Sequence, residues 1–404
     1  MNTKILVSGD RCCGCKLCGQ VCPKGAITYQ ADALGTPLPV IDETKCIGCK
    51  KCAAACPVTK NLKNSEPTCY AAVNRDQLLR LQSASGGVFS AVATTVLKEG
   101  GVVYGASMLP DERLVLRVAH ERIDSECRLP HLQRSKYVQS DMEGIYARIR
   151  EDLNAGRTVF FSGTPCQAAA VKSYCGASEK LLLGDIICHG VPSQKMFSEY
   201  LRILSKNNRR KIENFYFRTK ESGWGLCARL LYTDSRGKRH APRIPCNISS
   251  YYKMFLRCET YRDACYSCPY ASRERVGDLT MGDFWGLEKS GKTYEACKEN
   301  RVDPTRGVSC VLANTPKGLA YLEKSDLLLV KAEFEDVARE NGQLLHPSPR
   351  PASREAILRC YQEEGYEGLD RRFNRALGAK KQVILLRNRI PPKIRLKVKT
   401  MLGK

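Results

Sequence analysis

The chain has 404 residues, 43% of them hydrophobic, which is enough for two or three domains that each bury a core. It contains 22 cysteines, yet its length argues against a secreted disulfide scaffold, because such scaffolds are short. The net charge of +23 is concentrated at one end, since residues 371–404 hold twelve Lys or Arg and no acidic residue, and this distribution argues against a nucleic-acid-binding protein.

Eight of the cysteines form two runs with the same spacing, Cys12-x₂-Cys15-x₂-Cys18-x₃-Cys22-Pro23 and Cys46-x₂-Cys49-x₂-Cys52-x₃-Cys56-Pro57. Bacterial two-cluster ferredoxins use this run, in which three thiolates bind one 4Fe–4S cubane and the fourth binds the other. We therefore predict one cubane on Cys12, Cys15, Cys18 and Cys56, and a second on Cys46, Cys49, Cys52 and Cys22. Zinc also binds CxxC pairs, but a zinc site closes with four ligands rather than a doubled run.

Residues 1–62 are predicted to form an α+β ferredoxin-like domain that carries these two cubanes, with short strands at 26–29 and 39–41. A polar stretch that ends in proline, at 63–68, is a candidate linker. The first ten residues lack the apolar core of a signal peptide, and no apolar run has the length of a membrane span. We expect a cytoplasmic protein of a reducing, anaerobic cell.

Strand and helix patterns alternate after residue 68. Small and apolar runs at 101–106, 158–161 and 181–187 are typical of buried strands, and the stretch 88–98 is typical of a helix. Such alternation predicts an α/β domain with a mixed sheet, whose site lies where strands end in loops. Hairpin-like strands are expected at 214–218 and 228–233, and closing strands at 308–313 and 327–330. A helical extension is expected at 316–379, which includes the second closing strand, and a basic tail at 380–404.

Several motifs of this second region occur together and in order: Ser85-Gly86-Gly87-Val88-Phe89, Lys136-Tyr137-Val138-Gln139-Ser140, Ser162-Gly163-Thr164-Pro165-Cys166-Gln167, Cys188-His189-Gly190-Val191-Pro192-Ser193, Cys265-Tyr266-Ser267-Cys268 and the stretch 277–286. In these the chain resembles the beta-subunit family of coenzyme F420-reducing hydrogenases and F420-dependent dehydrogenases. The resemblance implies a domain at 69–315 that binds a flavin (FAD) and one 4Fe–4S cluster of its own. It also implies that electrons pass between these groups and a deazaflavin.

Four cysteines lie in these motif loops, and a thiolate square of this kind suits a third 4Fe–4S cluster. Cys166 and Cys188 follow predicted strands that should be neighbours in the sheet, so that the sheet would bring them together. The pair Cys265 and Cys268 would supply the other two corners. Buried structural cysteine is the alternative, and Cys258 is the nearest substitute ligand.

The same motifs supply candidate flavin contacts. Ser85, Gly86 and Gly87 precede a helix and would turn backbone N–H groups toward a flavin phosphate, although an N-cap and a turn would use the same residues. Lys136 and Tyr137 would supply a charge and a stacking ring; a solvated lysine beside a core tyrosine is the alternative.

Three further groups of residues are candidates. Gly163 and Thr164 would let the backbone approach the cofactor closely, and His189 would donate a hydrogen bond or relay a proton, unless it is structural. The positive charges of Arg218 and Lys220, beside Trp224, would suit an acidic coenzyme. The alternative is that these residues form the end of a strand with a buried tryptophan and have no functional role. No catalytic residue is assigned, because a flavin carries the hydride chemistry itself.

We interpret the chain as an iron–sulfur flavoprotein oxidoreductase that moves electrons between a hydride donor or acceptor, coenzyme F420-like or nicotinamide, and an external one-electron carrier protein. The alternative is a non-catalytic electron-transfer or scaffold subunit of a larger redox or polysaccharide-biosynthesis system. The basic tail would place the protein on an anionic membrane surface, or else it is simply a solvated end.

Overall fold

The structure, a computed structural model, describes residues 9–64, 66–110, 115–205, 209–220 and 224–389. The strands within these ranges are β1 Ile27–Ala31, β2 Pro37–Ile41, β3 Thr68–Asn74, β4 Val102–Pro110, β5 Leu116–Ile123, β6 Val159–Gly163, β7 Leu181–Ile186, β8 Arg210–Tyr216, β9 Cys227–Asp234, β10 Arg239–His240, β11 Arg243–Pro245, β12 Leu279–Asp283, β13 Ser309–Ala313 and β14 Leu327–Ala332. The α-helices are α1 Leu17–Gln20, α2 Lys51–Ala55, α3 Gln77–Gln82, α4 Val88–Lys98, α5 Leu129–Leu132, α6 Ile145–Asn154, α7 Pro165–Cys175, α8 Gln194–Leu204, α9 Ser250–Leu256, α10 Lys292–Glu299, α11 Pro316–Lys324, α12 Phe334–Ala338, α13 Arg354–Leu377 and α14 Lys380–Arg389.

The N-terminal region repeats one backbone pattern at an offset of 34 residues. Gly14 and Gly48 have φ angles of 60° and 68°, and the lysines two positions later, Lys16 and Lys50, are also left-handed. Each lysine precedes a short helix, α1 or α2, and the antiparallel pair β1–β2 lies between the two repeats. The backbone thus makes the turn that a cubane-binding run requires once in each repeat. Glycine fits this turn because it takes the left-handed conformation without strain.

One mixed sheet of eight strands, in the order β14-β3-β13-β12-β7-β6-β4-β5, forms the centre of the remainder of the described chain. Its middle, β12-β7-β6-β4, is parallel, and its two sides are antiparallel. Successive residues of β6 and β7 enter different cores: Phe160 packs with α4, whereas Phe161 packs with α7. Apolar residues on both faces of the sheet explain the near-continuous apolar runs of the sequence, and the prediction of a mixed α/β architecture is confirmed.

The predicted helical extension, 316–379, includes one strand. The strand β14 pairs antiparallel with β3 at the edge of the sheet, so this stretch completes the sheet as well as adding helices. The helix α13 instead packs on α8 and α9, in an aromatic core that contains Tyr200, Tyr251 and Tyr366.

The ferredoxin-like region is packed on the α6–α7 side of the sheet. Cys15 and Leu17 are buried in a core with Tyr146 and Phe161, and the Tyr146 hydroxyl donates a hydrogen bond of 2.7 Å to the carbonyl oxygen of Cys15. The predicted linker is held as well, because Lys172 Nζ donates to the carbonyl oxygen of Leu62 and to the side chain of Asn64. Removal of residues 1–65 would therefore expose apolar surface on the larger domain.

The basic tail begins with α14, where the side chains of Val383 and Leu386 are 64% and 59% exposed. Residues 390–404, with most of the tail's apolar positions, lie outside the described residues, so tail binding to an anionic surface stays a prediction. In the part of the chain that the structure describes, no helix is both long and apolar enough to cross a bilayer.

Candidate electron-transfer site

Two small cavities in the ferredoxin-like region are each lined by four of the predicted cysteines. Cys12, Cys15, Cys18 and Cys56 line one of them, and Cys22, Cys46, Cys49 and Cys52 line the other. These are the two crossed sets that the spacing predicts, with one cysteine of each set coming from the other repeat. The cavities are called here the inner ferredoxin cavity and the outer ferredoxin cavity, in that order.

The larger cavity, of about 470 Å³, lies at the carboxyl ends of the parallel strands β4, β6, β7 and β12. Small-molecule sites are typically about 300–1,000 Å³ and favour this edge of an α/β sheet. Its lining includes Cys166, which follows β6, and Cys188, which follows β7. The strands β6 and β7 are neighbours and parallel, as predicted. The loop after α9 brings Cys265 and Cys268 to the same cavity, which is called here the central cavity.

The four thiols of the central cavity are chemically suited to an iron–sulfur cluster. Burial raises the pKa of Cys265 to about 12 and that of Cys268 to about 11, and it raises the pKa of Cys188 well above its ordinary value. The positive charge of Arg262 acts in the opposite direction on Cys265. Thiols with raised pKa values stay neutral near pH 7 unless a metal ion stabilises the thiolate, and a coordinating thiol is deprotonated outright.

Cys13 connects the central cavity to the inner ferredoxin cavity. It lines both of them, and its thiol lies within hydrogen-bonding reach of the thiols of Cys15 and Cys166. Cys13 belongs to neither of the two cubane sets that the cysteine spacing predicts. The structure places it where the two cysteine groups meet.

Most predicted flavin contacts also line the central cavity: Ser85, Gly87, Lys136, Tyr137, Gly163, Thr164 and His189. Gly86 is outside this lining. A Cβ atom on Gly86 would lie 2.2 Å from the carbonyl oxygen of Ala72 and 2.6 Å from the backbone nitrogen of Ser309. The glycine at this position is therefore needed for contact between α4 and the sheet.

Two of the predicted flavin contacts have protein partners of their own. Lys136 Nζ donates to the carbonyl oxygens of His131 and Gln133, and burial lowers its pKa to about 7. The Tyr137 ring stacks on Phe255, with centroids 4.5 Å apart, while one side of the residue lines the cavity. Tyr137 thus packs in the core, as the alternative had it, whereas Lys136 is bonded to backbone carbonyl oxygens rather than solvated; both residues also line the cavity.

A hydrogen-bonded network that the sequence did not indicate runs along the cavity wall. His120 contacts the carbonyl oxygen of Ser162 through Nε2 and the hydroxyl of Ser140 through Nδ1, and its ring stacks on Phe161. The Gln167 amide donates to Ser140 Oγ and accepts from the backbone N–H of Thr164. The Thr164 hydroxyl lies 3.1 Å from Cys166 Sγ, so the network reaches a candidate ligand.

A second group of paired residues, which includes the predicted Arg218 and Trp224, also borders the cavity. Arg218, which is 3% exposed at its side chain, is paired at 2.5 Å with Asp283, and Asp283 also accepts a hydrogen bond from the Trp224 indole. The rings of Trp224 and Trp285 are stacked with centroids 4.4 Å apart. Of the three candidates for an acceptor pocket, Arg218 lines the cavity directly, and Trp224 contributes through Trp285. Lys220 Nζ instead donates to the carbonyl oxygens of Arg80 and Ser85.

The buried His120 predicts a pH dependence of stability. Burial lowers its pKa from 6.5 to about 4, so the unfolded chain binds the proton more readily than the folded chain below pH 6.5. Above pH 6.5 this difference does not lower the free energy of unfolding, and by pH 5 it should lower it by about 2 kcal/mol. Urea midpoints at pH 7.5 and pH 5, for the native chain and His120→Gln, measure this. An equal loss in the two proteins would show that another group causes it.

Among the described residues, no group of three or more His, Cys, Asp or Glu side chains is placed to hold a single metal ion. The cysteine groups above surround cavities instead.

The comparisons with known proteins agree with the cysteine pattern. Residues 156–333 match the family described as the C terminus of the coenzyme F420 hydrogenase/dehydrogenase beta subunit. Residues 11–60 match a 4Fe–4S dicluster domain, and a second dicluster family matches residues 38–90. The resemblance found in the sequence is thus confirmed, and the chain carries a 4Fe–4S dicluster domain. No protein of curated function matches.

Among solved structures, a chain of the F420-reducing [NiFe] hydrogenase complex from Methanosarcina barkeri, studied by xenon derivatization, is 15% identical. The match covers 77% of this chain and 92% of that chain, with a TM-score of 0.41.

Proposed function

We propose that this chain, which carries a coenzyme F420 hydrogenase/dehydrogenase beta-subunit domain at residues 156–333, is an iron–sulfur flavoprotein oxidoreductase. It would exchange a hydride with a small-molecule donor or acceptor, coenzyme F420-like or nicotinamide, and electrons with a partner protein. The observation that carries the proposal is the central cavity, because one space is lined both by the four candidate ligands of the third cubane and by most of the candidate flavin contacts.

A bound flavin (FAD) would take up or release the hydride and pass electrons singly to iron–sulfur clusters. The chain's own residues would hold it. Gly87 and the N-terminus of α4 would provide backbone N–H groups for a phosphate, and Gly163 lines the cavity at the end of β6, where a Cβ atom would lie 2.9 Å from the Phe161 ring. His120 would stay neutral there, so it holds the wall through hydrogen bonds without adding charge.

The cysteines would hold three cubanes in a series. The third cubane, on Cys166, Cys188, Cys265 and Cys268, would be next to the flavin. The inner ferredoxin cavity would follow, since Cys13 lines both spaces, and the outer ferredoxin cavity would come last. Cys49 and Ile47 of the outer cavity are exposed, with Ile47 at 60%, so electrons would leave the protein there.

The test is anaerobic reduction of the purified full-length chain by NADH, NADPH or reduced coenzyme F420, followed by absorbance. One of these donors should bleach a flavin band first and the iron–sulfur absorbance second. If none reduces the protein while dithionite does, the chain is the non-catalytic electron-transfer subunit, which is the rival function.

The surface around the outer cavity predicts an acidic redox partner. Lys24 and Lys50 line this cavity, and both are exposed, as is Lys51. Lys24→Glu combined with Lys50→Glu should slow electron transfer to an acidic two-cluster ferredoxin about tenfold or more at low salt, and less at high salt. The matched control, Lys292→Glu with Lys331→Glu, changes the charge equally at exposed sites on α10 and β14. Equal rates for the two double variants would place the docking surface elsewhere.

A further inference from the structure

Arg262 is a buried cation with unused hydrogen-bonding capacity. It is 3% exposed, and its Nε and Nη2 atoms are buried with no hydrogen-bond partner among the described residues. The other deeply buried arginines are paired: Arg218 with Asp283, Arg275 with Asp185 and Arg354 with Asp263. A buried charge without a partner costs several kcal/mol, so a site of this kind calls for an anion.

The guanidinium of Arg262 lies between two of the cysteine groups. A Cβ atom on Gly14, the residue between Cys13 and Cys15, would lie 2.7 Å from Arg262 Nη2 and 2.8 Å from its Cζ and Nη1. Arg262 thus packs directly on the turn that wraps the inner ferredoxin cavity. Arg262 also lines the central cavity, and its backbone carbonyl oxygen accepts a hydrogen bond from the backbone N–H of Cys265.

A cubane held by four thiolates fits the missing anion. Its net charge and the hydrogen bonds to its sulfur atoms are among the properties that set its reduction potential. Reduction adds one electron and forms no bond, so it makes the cluster more negative by one unit. A fixed positive charge in a site of low dielectric stabilises the reduced form more than the oxidised form.

We propose that Arg262 is the counter-ion shared by the third cubane and the cubane of the inner ferredoxin cavity, and that it raises the reduction potentials of both. This proposal rests on the proposed function for its third cubane, while the inner cubane belongs to the dicluster domain. Arg262 is a positioning residue that acts through charge. Because one positive charge lies near both cubanes, it would favour the added electron on either of them.

The experiment is a redox titration of the full-length chain, followed by electron paramagnetic resonance under anaerobic conditions. Arg262→Gln removes the charge and keeps a donor, Arg262→Lys keeps the charge, and Arg157→Gln is the control, since Arg157 is half exposed and paired with Asp152. Arg262→Gln should lower the equilibrium constant for reduction of the third cubane and of the inner ferredoxin cubane at least tenfold, which is 59 mV for one electron, and leave the cubane of the outer ferredoxin cavity unchanged. Arg262→Lys and Arg157→Gln should titrate close to the native chain.

Two results would overturn the proposal. One is an Arg262→Gln protein with full iron content and unchanged potentials. The other, which decides the matter if Arg262→Gln does not fold, is an Arg262→Lys protein whose potentials fall although its charge is kept. If the native chain holds only two cubanes, the third-cubane assignment fails. The shift of the inner ferredoxin cubane then still decides the role of Arg262.

Discussion

Replacement of both Cys265 and Cys268 by serine is expected to lower the iron content from about twelve to about eight atoms per chain, at four per cubane. Both residues line the central cavity with Cys166 and Cys188, whereas the eight ferredoxin cysteines line two other cavities. The ferredoxin cubanes should therefore survive. A hydride donor should still reduce the flavin, but electrons should no longer reach those cubanes at a useful rate.

Cys297 and Cys310 provide the matched control for this double variant. They are buried in the core on the β13 side, outside the three cysteine-lined cavities, so their replacement by alanine should leave about twelve irons. Cys258 is a separate test of the ligand set, because it was the sequence's substitute candidate and it too is absent from the lining. If the Cys265 and Cys268 double variant keeps all its iron, the assignment of these two ligands is wrong.

Asp185→Ala is expected to destabilise the protein by about 3–5 kcal/mol, because it leaves a buried arginine unpaired. Asp185 is fully buried on β7 and accepts from Arg275 Nη2 at 2.9 Å, from the Thr280 hydroxyl and from the backbone N–H of Gly277. Arg275 also donates to the carbonyl oxygen of Tyr270, two residues after Cys268. The pair thus joins β7 and β12 to the loop that carries the CxxC cysteines.

Urea unfolding under anaerobic conditions measures this prediction, with iron content as a second readout. Glu295→Ala is the control, since Glu295 and Lys298 form an exposed pair on α10, and such pairs contribute about 0–1 kcal/mol. The urea midpoint of Asp185→Ala should fall clearly below that of the control, with loss of iron from the central cavity before global unfolding. Equal midpoints would mean that the buried pair contributes little.

Regular spacing made the ferredoxin-like region predictable from sequence. The two cysteine runs alone predicted the crossed sets of residues that line the two small cavities, and the structure shows the same repeat in the left-handed turns at Gly14 and Gly48. Strands with apolar runs, such as β6 and β7, were also found, and their adjacency placed Cys166 beside Cys188.

Features that depend on contacts between distant segments could not be read from the sequence. Asp185 and Arg275 are 90 residues apart in the sequence, and they pair because β7 and β12 are neighbours in the sheet. No local sequence pattern indicates that these two strands are neighbours. The strand β12 was missed because it is short and contains Thr280, Gly282 and Asp283. Gly86 was predicted to turn its backbone N–H toward a flavin phosphate, but the structure shows that a glycine is needed there for close contact with the sheet.

His120 and Arg262 carry no motif, and their position in the cavity lining comes from the fold alone.

The most direct test of the central claim is the flavin content of the full-length chain purified without oxygen. If the central cavity holds a flavin as well as the third cubane, the protein should contain one flavin and about twelve irons per chain. The flavin would be released by denaturation and identified by its mass. Iron-loaded, folded protein that contains no flavin, and takes up none when FAD is added, would contradict the claim that the central cavity is a flavin site.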